Sequence, residues 1–192
     1  MVVAPDLESG CAHVERTLGV APGPGGEHLK MGTHNRLLRL GEDVYLEVIA
    51  VNPSAPPPGR PRWFGMDHVP PAPYLATWVA RCDSIDAFPL LGSPEAMSRG
   101  DLSWRLTVTA DGSLACGGVA PALIEWPGRN PAHRMAEQGC SLIDLEGFHP
   151  DPEKVQSVLD AIGFRGTFSV MKGRAPSLVA HIQAARGRCK LL

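Results

Sequence analysis

The stretch THNRLLRLGEDVYLEVIA, from Thr33 to Ala50, reads as a β-hairpin with its turn at Gly41-Glu42-Asp43. Both arms alternate with period two, the mark of strands that show different faces to different surroundings. With Leu40 set opposite Val44, Leu37 falls opposite Glu47 and Asn35 opposite Ile49. One face is then Leu38, Leu40, Val44, Leu46 and Val48, wholly apolar and expected to lie against helices. The other face carries Asn35, Leu37, Arg39, Tyr45, Glu47 and Ile49. An apolar wall with a few converging polar groups suits a ligand cavity. The same mixture also suits an antiparallel sheet with one face in water. A slip of one residue in either arm would mix the two sets, so the pattern itself supports the register.

The hairpin sits in a chain of 192 residues, enough for one domain or two small fused modules with a sizeable core. Hydrophobic residues make up 44% and charged residues 20%, the balance of a soluble globular protein. The net charge is −2 and no basic block stands out, which argues against nucleic acid as a partner. Five cysteines, Cys11, Cys82, Cys116, Cys140 and Cys189, are scattered without a C-x-x-C pair. An odd, dispersed set fits reduced thiols and a cytoplasmic location better than a disulfide framework or a zinc knuckle. The N-terminus shows no charged segment followed by an apolar run, so no export signal is expected. No apolar run approaches the length that spans a bilayer, so no membrane partner is expected.

Upstream of the hairpin, Val2-Val3-Ala4 is a short strand and Asp6 is a good N-cap for the helix that follows. Leu7, Cys11, Val14 and Leu18 form a single apolar stripe, and Gly19 is the expected stop. A strand is expected near His28–Met31, so residues 1–51 read as one β-α-β-β-β unit. Residues 52–73 are too rich in Pro for helix or central strand. Their Trp63, Phe64, Met66 and His68 make this connector either a segment pinned to the core or a lid on the cavity. Residues 74–138 read as a strand at Tyr74–Arg81, a short capped helix at Asp83–Phe88, and two strands at Leu102–Thr109 and Val119–Trp126. Residues 139–192 read as a strand at Cys140–Leu145, a helix opened by Pro150-Asp151-Pro152-Glu153, and strands at Phe168–Met171, Ser177–Ala184 and Cys189–Leu192.

An internal repeat links the two ends. Pro5-Asp6-Leu7-Glu8 matches Pro150-Asp151-Pro152-Glu153, and Leu18-Gly19-Val20 matches Ile162-Gly163-Phe164. Each copy follows a strand and precedes three more, and the middle stretch looks like a degenerate βαββ copy. A unit of this kind cannot bury its sheet alone and should pair with another. Paired β-α-β-β-β units resemble the vicinal oxygen chelate superfamily of glyoxalases, extradiol dioxygenases and bleomycin-binding proteins. Within it the chain is similar to the glyoxalase-like domain proteins. The residues that carry the likeness include Val3-Ala4-Pro5-Asp6-Leu7-Glu8, Gly32-Thr33-His34-Asn35, Tyr45-Leu46-Glu47, Phe64-Gly65-Met66-Asp67, Thr77-Trp78, Ile124-Glu125-Trp126 and His149-Pro150-Asp151-Pro152. The expected fold class is therefore α+β, with repeated β-α-β-β-β modules whose curved antiparallel sheets enclose a cavity.

The resemblance implies a divalent metal, Zn, Ni, Fe or Mn, held by His or Gln and Glu from the first and last strands of each module. Glu47 stands at the family's carboxylate position. An Asp-His pair has no counterpart before Val2, Trp78 stands near where a His is expected, and Lys190 stands about where a Glu would sit. Asp144 is a carboxylate without a nearby His. His34 is the substitute metal candidate, although alternation points it away from Asn35 and Glu47. Glu47 also reads as a base in an apolar cavity, or as a partner of Arg39 on the same face. Glu125, beside Trp126, is a second candidate inward carboxylate. Tyr45, Trp63, Phe64, Trp78 and Trp104 are the expected stacking surfaces, with Asn35 and Arg39 as polar contacts. Two functions follow: a glyoxalase-like lyase, isomerase or dioxygenase that uses Glu47, or a metal-free protein that sequesters a small organic molecule. The resemblance also admits a homodimer, since relatives often pair modules across two chains.

Overall fold

The computed structural model describes residues 1–192, and its first sheet is built on the hairpin. Strand β3 (Thr33–Arg39) pairs antiparallel with β4 (Tyr45–Val51), Leu37 facing Glu47 and Asn35 facing Ile49. The Leu40 N–H donates to the Val44 carbonyl at 2.8 Å, which closes the turn in the expected register. Strand β1 (Val2–Val3) adds parallel to β4, and β2 (Glu27–His28) pairs with β3. Helix α1 (Leu7–Leu18) starts where Asp6 accepts a hydrogen bond from the Ser9 N–H at 2.7 Å, and ends at Gly19 with φ 76°. Its Gly10 lies against β4, where a Cβ would meet Val48 Cγ1 at 2.6 Å, so only glycine lets the helix pack this closely.

The middle sheet has one strand more than the sequence suggests. Its order is β6 (Val79–Arg81), β9 (Ala122–Glu125), β8 (Leu102–Val108), β7 (Ser93–Arg99). Strand β7 lacks β-branched residues and holds Pro94, which hides it from a propensity reading. It forms because it is an edge strand, where a missing N–H costs no ladder bond. The capped helix expected at Asp83–Phe88 is replaced by two 3-10 turns, Ile85–Ala87 and Pro89–Leu91. Ser84 makes no capping bond, and Pro89 stops the helix from continuing. The strand expected over Tyr74–Arg81 is split: β5 (Tyr74–Leu75) joins the first sheet beside β1, and β6 joins the middle sheet.

The last module repeats the helix but not the strand order. Helix α2 (Pro152–Ala161) is capped by Asp151, which accepts from the Lys154 N–H at 3.2 Å. Strand β10 (Ser141–His149) lies between β11 (Ser169–Lys172) and β12 (Ser177–Ala184), with β13 (Gly187–Leu191) outermost. In the first and middle sheets the opening strand pairs with the fourth strand of its unit; here it pairs with the second and third. Two cores result. Leu38, Leu40, Leu46 and Val48 pack with Val14 and Leu18 of α1 and with Leu145, Ile182 and Leu191 of the last sheet. The apolar face of the hairpin thus meets a sheet as well as a helix, and Val44 at the turn remains 40% exposed. The second core joins Val3 and Ile49 to Trp104 and Leu106 of the middle sheet, closed by Trp63 and Met66 of the connector. No helix is long and apolar enough to cross a membrane.

Candidate functional site

Between the first and middle sheets, with the last module closing one end, lies a cavity of about 420 Å³. Its wall is mainly apolar, and all four tryptophans, Trp63, Trp78, Trp104 and Trp126, line it. The other polar groups on the wall include His28, Asn35, Tyr45, Glu47 and Arg99. Strand alternation explains the set: Asn35, Leu37, Tyr45 and Glu47 share the hairpin face that turns from the first core.

Asn35 organises the polar end. Its Nδ2 donates to Glu47 Oε1 at 2.6 Å, and its Oδ1 accepts from Arg99 at 2.9 Å and from the Gly26 N–H at 2.9 Å. His28 stands beside it, Nδ1 3.0 Å from Thr33 Oγ1 and Nε2 3.9 Å from Glu47 Oε1. Glu47 Oε1 is therefore fixed by an amide, and the imidazole stands beside that amide, its Nε2 3.4 Å from Asn35 Nδ2. Burial, with a smaller push from the Glu47 charge, raises the Tyr45 phenol and keeps it a neutral donor. Trp78 is held by its own N–H, which donates to the Val119 carbonyl at 2.8 Å, and it stacks on Phe168 with ring centroids 4.7 Å apart.

The structure brings Asn35, Tyr45, Glu47, Trp63, Phe64, Trp78 and Trp104 to one cavity. Three other expected residues lie elsewhere. Arg39 is at the turn end of β3, donates to the Gly41 and Met135 carbonyls, and pairs with Glu137 at 3.4 Å, so it leaves Glu47 alone. Glu125 points from the outer face of β9, because Ile124 and Trp126 take the inner one; it accepts from the Ile85 N–H at 2.8 Å. His34 keeps to the strand alternation, outside the cavity, opposite Glu27 and Ala50 on the neighbouring strands.

The missed imidazole is His28. The short link from Leu29 to Gly32 places it opposite Thr33, on the same strand face as Asn35, and that link was the signal available. Arg99 and Trp126 were missed for different reasons: the first closes the unexpected strand β7, and the second falls on the outer face when Glu125 is read as pointing inward.

A metal of the kind the resemblance implies needs three or four nitrogen and oxygen donors. Only His28 and Glu47 approach one another on the cavity wall, and no group of three or more His, Cys, Asp or Glu in the chain could hold an ion. The middle module contributes Val79, Arg81, Trp104, Leu106, Ile124 and Trp126 to the wall, none of them a metal ligand. The residues present do not fit a divalent metal centre of that type.

Burial holds His28 below its ordinary value of 6.5, against the pull of the Glu47 charge. The unfolded chain takes up this proton near pH 6.5 and the folded chain resists it, so stability falls as pH drops below that value. Urea unfolding at about pH 8 and about pH 5.5 should show this loss, reduced in His28→Gln. Part of it should remain, because burial also lowers His13 and His34. An unaltered loss in the variant would assign the proton uptake to groups other than His28.

A family model described as glyoxalase-like domain matches residues 1–163, up to the glycine that ends α2. A crystal structure of a hypothetical protein from Staphylococcus aureus superposes with a TM-score of 0.61 and 15% identity, over 92% of this chain and 86% of that one. At that identity the likeness is one of fold. No curated protein matches the chain.

Proposed function

Because the chain belongs to the glyoxalase-like domain family, we propose that it acts on a small organic molecule held in the tryptophan-lined cavity, with Glu47 as the general base. The observation that carries the reading is the state of Glu47. Its Oε1 is held by Asn35, its Oε2 has no protein partner, and the carboxylate stands on a mainly apolar wall. Such a group has its geometry set by the protein and one oxygen left for a ligand proton. Asn35 orients it, neutral His28 limits the approach of other groups to Oε1, and the indoles exclude water around the reacting end. No step is routed through a metal, because the donor set is too small. The reaction class that needs only these groups is proton transfer at a carbon or hydroxyl of the ligand, as in an isomerase or lyase.

A second reading, sequestration of a small molecule without turnover, is favoured by the tryptophans themselves, which offer area and stacking rather than reactive groups. Proton exchange separates the two. With phenylacetone in deuterated water as probe, the wild type is expected to speed α-proton exchange, and Glu47→Gln to slow it about 10²–10⁴-fold. Quenching of tryptophan fluorescence by the ketone with no exchange in either protein would select sequestration. The same samples, purified without added metal, should carry no divalent ion whose amount depends on Glu47. About one ion per chain, lost in Glu47→Ala, would overturn the metal-free assignment.

A further inference from the structure

Two arginines line the cavity; Arg81 lies 4.0 Å from Asp43, and Arg99 is the one without a carboxylate partner. It ends β7, is half-buried, and its guanidinium lies 6.0 Å from the Trp104 ring centre. Gly26 leaves room for its stem, since a Cβ there would lie 2.5 Å from Arg99 Cδ. Other partly buried arginines of the chain find acids: Arg60 pairs with Glu95 at 2.8 Å and Arg62 with Asp67 at 2.6 Å. Arg99 has no carboxylate within 4.0 Å; its protein hydrogen bond goes to the neutral Asn35 Oδ1. Glu47, an acid on the same wall, is bonded to the other end of the same amide. Asn35 thus keeps cation and carboxylate one amide group apart, and most of the five guanidinium donors remain open.

A planar cation set among indoles and without a counter-ion is suited to a planar anion, which it binds by two parallel hydrogen bonds. We propose that Arg99 is the anion-binding residue of the cavity, and that the ligand is a small organic carboxylate with an apolar, ring-sized body. A carboxylate docked there lies one amide group from Glu47, which brings its neighbouring carbon to the base. The inference rests on the cavity being a small-molecule site and adds the ligand's charge to that reading.

The test compares two probes of equal size, hydrocinnamate and hydrocinnamamide, by quenching of the four cavity tryptophans and by calorimetry. The wild type should bind the acid about tenfold or more tightly than the amide. Arg99→Met should bring the acid to the level of the amide and leave amide binding as it was, which also shows that the variant folds. Arg99→Lys should keep part of the preference, as a charge without the fork. Equal binding of acid and amide by the wild type, or an equal loss of both in Arg99→Met, would overturn the role of Arg99 while leaving the cavity as a ligand site. Failure of both probes to bind the wild type would overturn the small-molecule reading and this inference with it.

Discussion

Leu38→Ala should lower the stability of the protein by about 3 kcal/mol, in the middle of the range for leucines truncated in a closed core. Leu38 is fully buried, in contact with a core drawn from three sources: its own hairpin, helix α1 and the last sheet. None of these can collapse into the space without moving the others, so the cavity left behind stays open. The loss should appear as a fall in Tm of roughly 6–12 °C for a chain of this size. Leu29→Ala is the control. Leu29 is 73% exposed, and its truncation should change stability by less than about 0.5 kcal/mol. A cost for Leu38→Ala as small as that of the control would mean that the last sheet does not pack on the hairpin.

Gly25→Ala should weaken ligand binding about tenfold or more although Gly25 does not itself line the cavity. A Cβ at Gly25 would land on the Asn35 carbonyl oxygen and on Asn35 Oδ1. Two neighbouring bonds, Asn35 N–H to the Gly26 carbonyl at 2.9 Å and Gly26 N–H to Asn35 Oδ1 at 2.9 Å, keep the backbone from yielding sideways. The amide would have to turn, and both groups it holds, Glu47 and Arg99, would lose their common partner. Fluorescence titration with hydrocinnamate reads the effect. Gly128→Ala, at a position where a Cβ meets open space, should bind like the wild type. Undiminished binding by Gly25→Ala would show that Asn35 does not position the site.

What was legible and what was not divide along strand physics. The hairpin register and the caps at Asp6 and Asp151 are local: alternation and orphan N–H groups specify them within a few residues. The same alternation places Glu47 and Asn35 on one face and His34 on the other. It did not tell which way a long side chain turns, and so Arg39, opposite the cavity residue Tyr45, reaches away to the Met135 carbonyl and Glu137. Glu125 failed for a one-residue reason: alternation in β9 is real, but either phase looks acceptable in Ile124-Glu125-Trp126 until the strand is docked.

Sequence alone determined the βαβββ rhythm, the family likeness and the central carboxylate, because each rests on short-range patterns that survive without knowledge of neighbours. Tertiary structure decided the rest. It made an edge strand of Ser93–Arg99, whose propensity is poor, because the edge of β8 offered a full ladder of unpaired backbone groups. That pairing carried Arg99 to the cavity. It split Tyr74–Arg81 between two sheets and re-ordered the last one, since pairing partners are chosen by which edges are free in space. The joining of His28, Asn35, Glu47 and Arg99 needs four strands from two sheets, and contacts 64 residues apart, as between Asn35 and Arg99, leave no periodic trace in the chain.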